Sequence, residues 1–246
     1  MTKKNKFLFI KCITAALILN GCSSSTKLAS ENKDPFEKMN RNVFQFNKYI
    51  DQKIISPISK IYIKNVPTKI RSGVGNHLEW MDTPNTIINS ALQTDMENTI
   101  LASSKFLLNG LTLGFYDLDK GETIIKKKDF GSTLASLNVS EGPFLMVPFI
   151  GPKTTRDLTG TILDRQNIAT LSPNTIDDLY LAEIPINMID KRSKMSKTID
   201  NIYLSTDPYI KVKTFYLQNR RNEIYSQKYI ENKNNNLDAE FEKLLD

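Results

Sequence analysis

The chain has 246 residues, a formal net charge of +6, 40% hydrophobic and 24% charged residues, which is enough for one large domain or two small ones. Its only cysteines are Cys12 and Cys22 and its only histidine is His77. Beyond Cys22 there is therefore no disulfide and no thiolate metal site, and Ser-His-Asp chemistry would rest on a single residue.

The positive charge does not argue for a nucleic-acid partner. Lys3, Lys4, Lys6 and Lys11 precede Cys22 with no acidic residue among them, and the rest of the chain carries only +2. The opening stretch, MTKKNKFLFIKCITAALILNGCSSS, has a basic start and an apolar part of roughly 13 residues. That is the length of a signal-peptide core and well short of a membrane span. Gly21-Cys22 followed by serines resembles a bacterial lipobox, with Asn20 departing from the usual small apolar residue. An ordinary secretory signal with an incidental cysteine is the competing reading. The resemblance implies acylation of Cys22, and Ser23 in place of an aspartate implies sorting to the outer membrane. The expected division is a signal peptide at 1–21, an acylated tether at 22–33, a helical domain at 34–229 and a polar tail at 230–246.

In the body, Asp34-Pro35-Phe36-Glu37 carries helix-start signals, with Asp34 as the cap. Phe36, Met39, Val43, Phe46 and Ile50 then recur at helical spacing as one apolar face. Pro57 and Pro67 punctuate short apolar pieces. A helix is expected from Pro67 toward Trp80, another opening at Asp82-Thr83-Pro84, and a strongly apolar one headed by Asp95 that breaks at Gly110 and Gly114. Lys126–Lys128 reads as a solvated basic knuckle, with lipid phosphate as the alternative contact.

Phe130–Asp157, FGSTLASLNVSEGPFLMVPFIGPKTTRD, is the stretch around which the chain is organised. A short helix leads to a turn at Gly142-Pro143, then an apolar run from Phe144 to Ile150, and a second turn at Gly151-Pro152 that opens a helix. Periodicity alone leaves the apolar run either a buried strand or a lipid-facing segment. Helical patterns return at Thr161–Arg165, at Leu181–Ile199 around Pro185, and from Asp207-Pro208 to Tyr225. The fold class is mostly α, a single domain of many short amphipathic helices broken by Gly and Pro.

No catalytic set emerges. The serines lack a G-x-S-x-G elbow, Gly73-Val74-Gly75 lacks the third glycine of a dinucleotide fingerprint, and Asp177-Asp178 and Glu240/Glu242 read as solvated faces or caps. No enzyme, cofactor or metal is expected.

DPFEKMNRNVFQFN, through Asp34-Pro35, Glu37, Asn40-Arg41, Phe44, Phe46 and Asn47, resembles the opening motif of the MlaA (VacJ) family of outer-membrane lipoproteins. Phe130-Gly131 within FGSTL, Gly142-Pro143-Phe144, Pro148, Gly151 and Arg156-Asp157 resemble that family's central signature. Further elements follow in family order from Asp34 to about Arg221. The resemblance implies a ring-like helical body in the inner leaflet of the outer membrane, with these motif residues as candidates for its channel and hairpin. It also implies a trimeric porin and a soluble periplasmic phospholipid carrier as partners, and phospholipid as the transported ligand. Where the family has a glycine-rich hairpin thought to gate the channel, Asn138, Ser140 and Glu141 replace two glycines and an aromatic, and Ala135 replaces a further glycine. A lipoprotein that binds a porin without conducting lipid is the alternative function.

Overall fold

The computed structural model describes the backbone of residues 34–171 and 177–224, and the side chains of all of these except 166–182. Cys22, the expected signal peptide and tether, the Asp177-Asp178 side chains and the tail lie outside the described residues. The body belongs to one compact unit, Pro35–Asp246.

Helix α1 spans Glu37–Ile50. It begins later than its signals predict: Phe36, not Asp34, occupies the cap position, and no side chain caps it. Glu37 is drawn forward to Arg41 (2.8 Å) rather than back to a cap. A π-helical segment, Asp51–Ile55, leads directly into α2, Ser56–Asn65, whose first turn accommodates Pro57. Helix α2 ends at extended Val66, where the following proline disfavours helical backbone.

The two helices expected between Pro67 and Leu92 are one: α3, Thr68–Leu92, runs unbroken with Pro84 inside it. Thr83 Oγ1 donates to the Glu79 carbonyl (3.0 Å) at this point, and the helix is braced by its antiparallel neighbour α4, Met96–Gly110. The Trp80 ring stacks on Phe106 at 5.1 Å and its Nε1 donates to the Phe106 carbonyl (2.9 Å). Tertiary packing outweighs the proline. Asp95 caps α4, accepting from the Asn98 amide (3.1 Å). Beyond Gly110, Gly114 takes φ +74°, and a Cβ there would overlap Trp80, so only glycine lets the loop pass.

Helix α5, Phe130–Ser136, is held by a reciprocal capping box between Asp129 and Ser132. Strands β1, Phe144–Val147, and β2, Gly151–Thr154, pair antiparallel with Phe144 opposite Thr154 and Val147 opposite Gly151. The apolar run is thus a strand with Phe144 and Met146 buried, and Gly151-Pro152 opens its partner strand rather than a helix. The tight turn between them, with Phe149 at φ +62° and Gly151 at +92°, uses those residues as a hairpin connection. Helix α6 starts afterwards, Thr155–Leu171. Helices α7, Asp177–Lys194, with Pro185 inside it, and α8, Ser196–Tyr203, divide the stretch expected around Pro185. Residues 208–224 form α9.

The inside of this body is largely polar. Asn40, Asn89, Ser90, Ser59 and Thr154 are among its most completely buried side chains, and the apolar core is a small cluster of Phe44, Phe144, Met146 and Tyr209. The apolar face predicted for α1 is split: Phe36, Met39 and Phe46 are 43–49% exposed, Val43 packs against the core and Ile50 is half-buried, while the buried positions of the helix are Asn40 and Phe44. Long apolar side chains on α2, α4 and the following loop are exposed too, Leu107 at 70% and Leu111 at 79%. Among the described residues no helix is long and apolar enough to cross a membrane.

Candidate functional site: a braced hairpin beside a mixed cavity

The β1–β2 hairpin is positioned by α1 through two asparagines seven residues apart. Asn40 Nδ2 donates to the Phe144 carbonyl (3.0 Å) and its Oδ1 accepts from the Met146 amide (2.8 Å). Asn47 repeats the pattern, donating to the Val147 carbonyl (3.0 Å) and accepting from the Phe149 amide (2.9 Å). Seven helical residues advance about 10.5 Å and three strand residues about 10 Å. The two amides therefore reach two points about 10 Å apart: Asn40 holds the start of β1 and Asn47 holds its end together with the turn. Between them, Phe44 packs edge-on to Tyr209 at 6.0 Å, and Phe46 meets Phe149 at 5.3 Å. Arg41 turns to the start of α9, pairing with Asp207 (2.8 Å) and lying 4.6 Å over the Tyr209 ring, while Asp207 accepts from the Ile210 amide (3.2 Å).

The far end of the hairpin is fixed by a buried charge cluster. Asp157 accepts from Tyr216 (2.6 Å), Thr154 (2.8 Å) and Arg220 (3.1 Å), and Arg220 also pairs with Asp129 (2.7 Å). Burial alone would raise the Asp157 carboxyl, but the Arg220 charge and these bonds hold it below the usual carboxylate range. Gly131 lies against this cluster: a Cβ there would come within 2.8 Å of Asp157 Oδ1. Gly160 of α6 would in turn overlap the Gly131 backbone, so α5 and α6 cross at two glycines. The amide of Phe130 donates to Asp164 (3.0 Å), which also accepts from Asn89 (2.9 Å), and there burial raises the carboxyl.

The segment before β1 is pinned rather than loose. Asn138 adopts φ +61° and Gly142 φ +68°. Arg156 donates from its Nη1 to the Val139 carbonyl (3.1 Å) and from its amide to the Glu141 carbonyl (3.1 Å), and the Pro143 carbonyl accepts from the Thr155 amide (3.1 Å). Glu141 accepts two bonds from Arg221 of α9, at 2.5 and 3.2 Å. Pro148, at the hairpin tip, offers its carbonyl to the Ile150 amide (2.8 Å).

A cavity of about 280 Å³ opens between α1, the π-helical segment, the hairpin turn, α7 and α8. Its walls mix apolar Ile50, Ile55, Met188 and Ile199 with Asn47, Asp51, Lys191 and Arg192. Arg192 is buried and consumed by Asp51 (2.9 Å) and Asp200 (2.6 Å).

The structure thus brings the sequence-predicted residues together around one hairpin, but mostly as its seat. Of them, only Asn47 and Gly151 line the cavity. The Arg192–Asp51 pair and the Asn89–Asp164 bond join residues 141 and 75 positions apart, and no local signal announces them. The basic knuckle is also divided: Lys128 is buried on Asp95 (2.7 Å), whereas Lys127 stays exposed near Glu79 (3.6 Å). His77 stacks on Phe115 at 4.5 Å and bonds through Nδ1 with the Leu113 carbonyl (2.5 Å).

The profile of the MlaA lipoprotein family matches residues 32–223. The chain is 26% identical over 232 residues to the intermembrane phospholipid transport system lipoprotein of Haemophilus influenzae, covering 91% of this chain and 93% of that one. It is 29% identical over 208 residues to the Escherichia coli K12 protein of the same description, covering 82% of each. A Rickettsia typhi protein is 34% identical over 200 residues, covering 79% of this chain and 76% of that one. A solved structure reported as the structural basis for maintenance of bacterial outer membrane lipid asymmetry superposes with a TM-score of 0.68 at 27% identity, covering 78% of this chain and all of that chain.

Proposed function

The chain belongs to the MlaA lipoprotein family, and on that premise we propose that it maintains outer-membrane lipid asymmetry through intermembrane phospholipid transport. In this reading Cys22 is acylated and tethers the domain, and the body lies in the inner leaflet. Phospholipids misplaced in the outer leaflet pass through an amphipathic path beside the hairpin toward a soluble periplasmic carrier, with a trimeric porin as the outer-membrane partner. No covalent chemistry is required.

The observation that carries the reading is the inverted body. Apolar side chains such as Leu107 and Leu111 face outward while asparagines, serines and ion pairs fill the interior. Such a surface is costly in water. In a leaflet it is favourable, and the described residues, which hold no helix long and apolar enough to span, can lie within one leaflet. The test is a deletion strain. Outer-leaflet phospholipid and detergent sensitivity should both rise, and unchanged surface phospholipid would sink the transport reading.

One observation favours the adaptor alternative. The Glu141–Arg221 pair clamps the segment in which the family carries flexible glycines. If clamping leaves porin binding intact but stops lipid movement, the chain purified from its native membrane carries porin and no phospholipid.

A further inference from the structure

We propose that Lys153 and Lys191 form a cationic anchor that holds the phosphate of a phospholipid at the mixed cavity. The proposal rests on the phospholipid-transport reading and adds to it which atoms grip the headgroup.

The placement follows from the pleat. Residues two apart on a strand share a face. On β1–β2, Phe144 and Met146 face the Tyr209 core, so Leu145, Val147, Gly151 and Lys153 share the opposite face. Gly151 on that face lines the cavity, and Lys153, two residues further along β2, lies beyond the lining on the same face of the hairpin. Lys191 lines the cavity from α7, between Met188 and Met195 at helical spacing.

The pairing of the neighbouring charges, rather than their sum, leaves two ammonium groups open to an anion. Arg192 is spent on Asp51 and Asp200. Asp129 and Asp157, whose charges act on Lys153, are engaged by Arg220. Neither the Lys153 nor the Lys191 ammonium has a hydrogen-bonded or ion-paired partner among the described residues. Burial, with Arg220 and Lys191 as like charges, pushes the Lys153 ammonium below its ordinary value, against the pull of Asp129 and Asp157. A group so placed gains from a bound anion, because a neighbouring phosphate stabilises the charged form that burial disfavours. The apolar wall of Ile50, Ile55, Met188 and Ile199 then suits what is attached to that phosphate. A free phosphate ion would meet the lysines but leave this wall unused. At about 280 Å³ the cavity holds part of a lipid, with the remainder extending outward.

The test uses the full acylated chain in detergent, with phosphatidylglycerol, diacylglycerol of the same acyl chains, and inorganic phosphate as separate probes. The wild type should bind phosphatidylglycerol more tightly than either of the others. Each of Lys153→Gln and Lys191→Gln should weaken phosphatidylglycerol binding roughly tenfold, the loss of one charge-assisted bond. Diacylglycerol binding should not change, and the Lys→Arg pair should restore phosphatidylglycerol binding. Equal binding by wild type and the folded double Gln variant overturns the anchor alone. Failure of the Arg pair to restore binding in a protein with native melting overturns it too. Inorganic phosphate binding as tightly as the lipid overturns the lipid assignment. A wild type that binds neither lipid overturns both the anchor and the transport reading beneath it.

Discussion

Two buried aspartates near the start of α5 behave differently, and the contrast is testable. Asp157 is paired with Arg220 and held below its ordinary value, so its folded value lies under the unfolded value of about 3.9. Its stabilisation is therefore complete above that unfolded value and is lost as pH falls through the lower folded one. Asp164 is raised by burial, so its ionisation opposes folding at neutral pH, and acidification relieves that cost. Asp157→Asn should destabilise by about 3 kcal/mol, because a buried guanidinium loses a charged partner. Asp164→Asn keeps one acceptor for Asn89 and Phe130 and should stay within about 1 kcal/mol of wild type. Thermal melts in detergent between neutral and acid pH check both. Removing the amide of Asn40 orphans the Phe144 carbonyl and the Met146 amide, and Asn40→Ala should cost on the order of 3 kcal/mol. Faster hydrogen exchange at Met146 is the accompanying sign.

The elements show which sequence signals act locally and which do not. Asp95 and Asp207 cap the helices they head because an aspartate at that position meets only its own next turn. Pro84 and Gly151-Pro152 fail as helix-start signals because distant partners decide them: Trp80 on Phe106 keeps α3 continuous, and pairing with β1 makes Gly151–Thr154 a strand. The seven-residue spacing of Asn40 and Asn47 was visible, but its meaning depended on the strand it meets. The segment before β1 is where this chain's own residues change behaviour. Glu141→Gln removes the charge that holds Arg221. It should speed hydrogen exchange at residues 137–142 and, in the transport reading, raise phospholipid flux, while global melting moves by less than about 1 kcal/mol, as for other surface pairs.

At the scale of the molecule, helical periodicity correctly marked an apolar face on α1 but did not say which medium that face meets. Of the expected stripe, Phe36, Met39 and Phe46 are outside and Val43 and Ile50 turn inward, while Asn40 is buried. A 3.6-residue repeat fixes angles around a helix and is blind to what surrounds it. The outward apolar surface gives a further expectation. Leu107→Glu and Leu111→Glu, at exposed positions, should leave the fold intact in detergent yet lower recovery with lipid vesicles several-fold in flotation.

The polar interior also has a calorimetric consequence. Heat capacity rises on unfolding when apolar surface becomes wet and falls when polar surface does. A body that keeps asparagines, serines and ion pairs inside and apolar groups outside therefore unfolds in detergent with a heat-capacity increment well below the usual ~12–15 cal/mol/K per residue. Its stability curve is correspondingly flat: cooling weakens it little, and its resistance to heat is set mainly by the enthalpy of its internal hydrogen bonds.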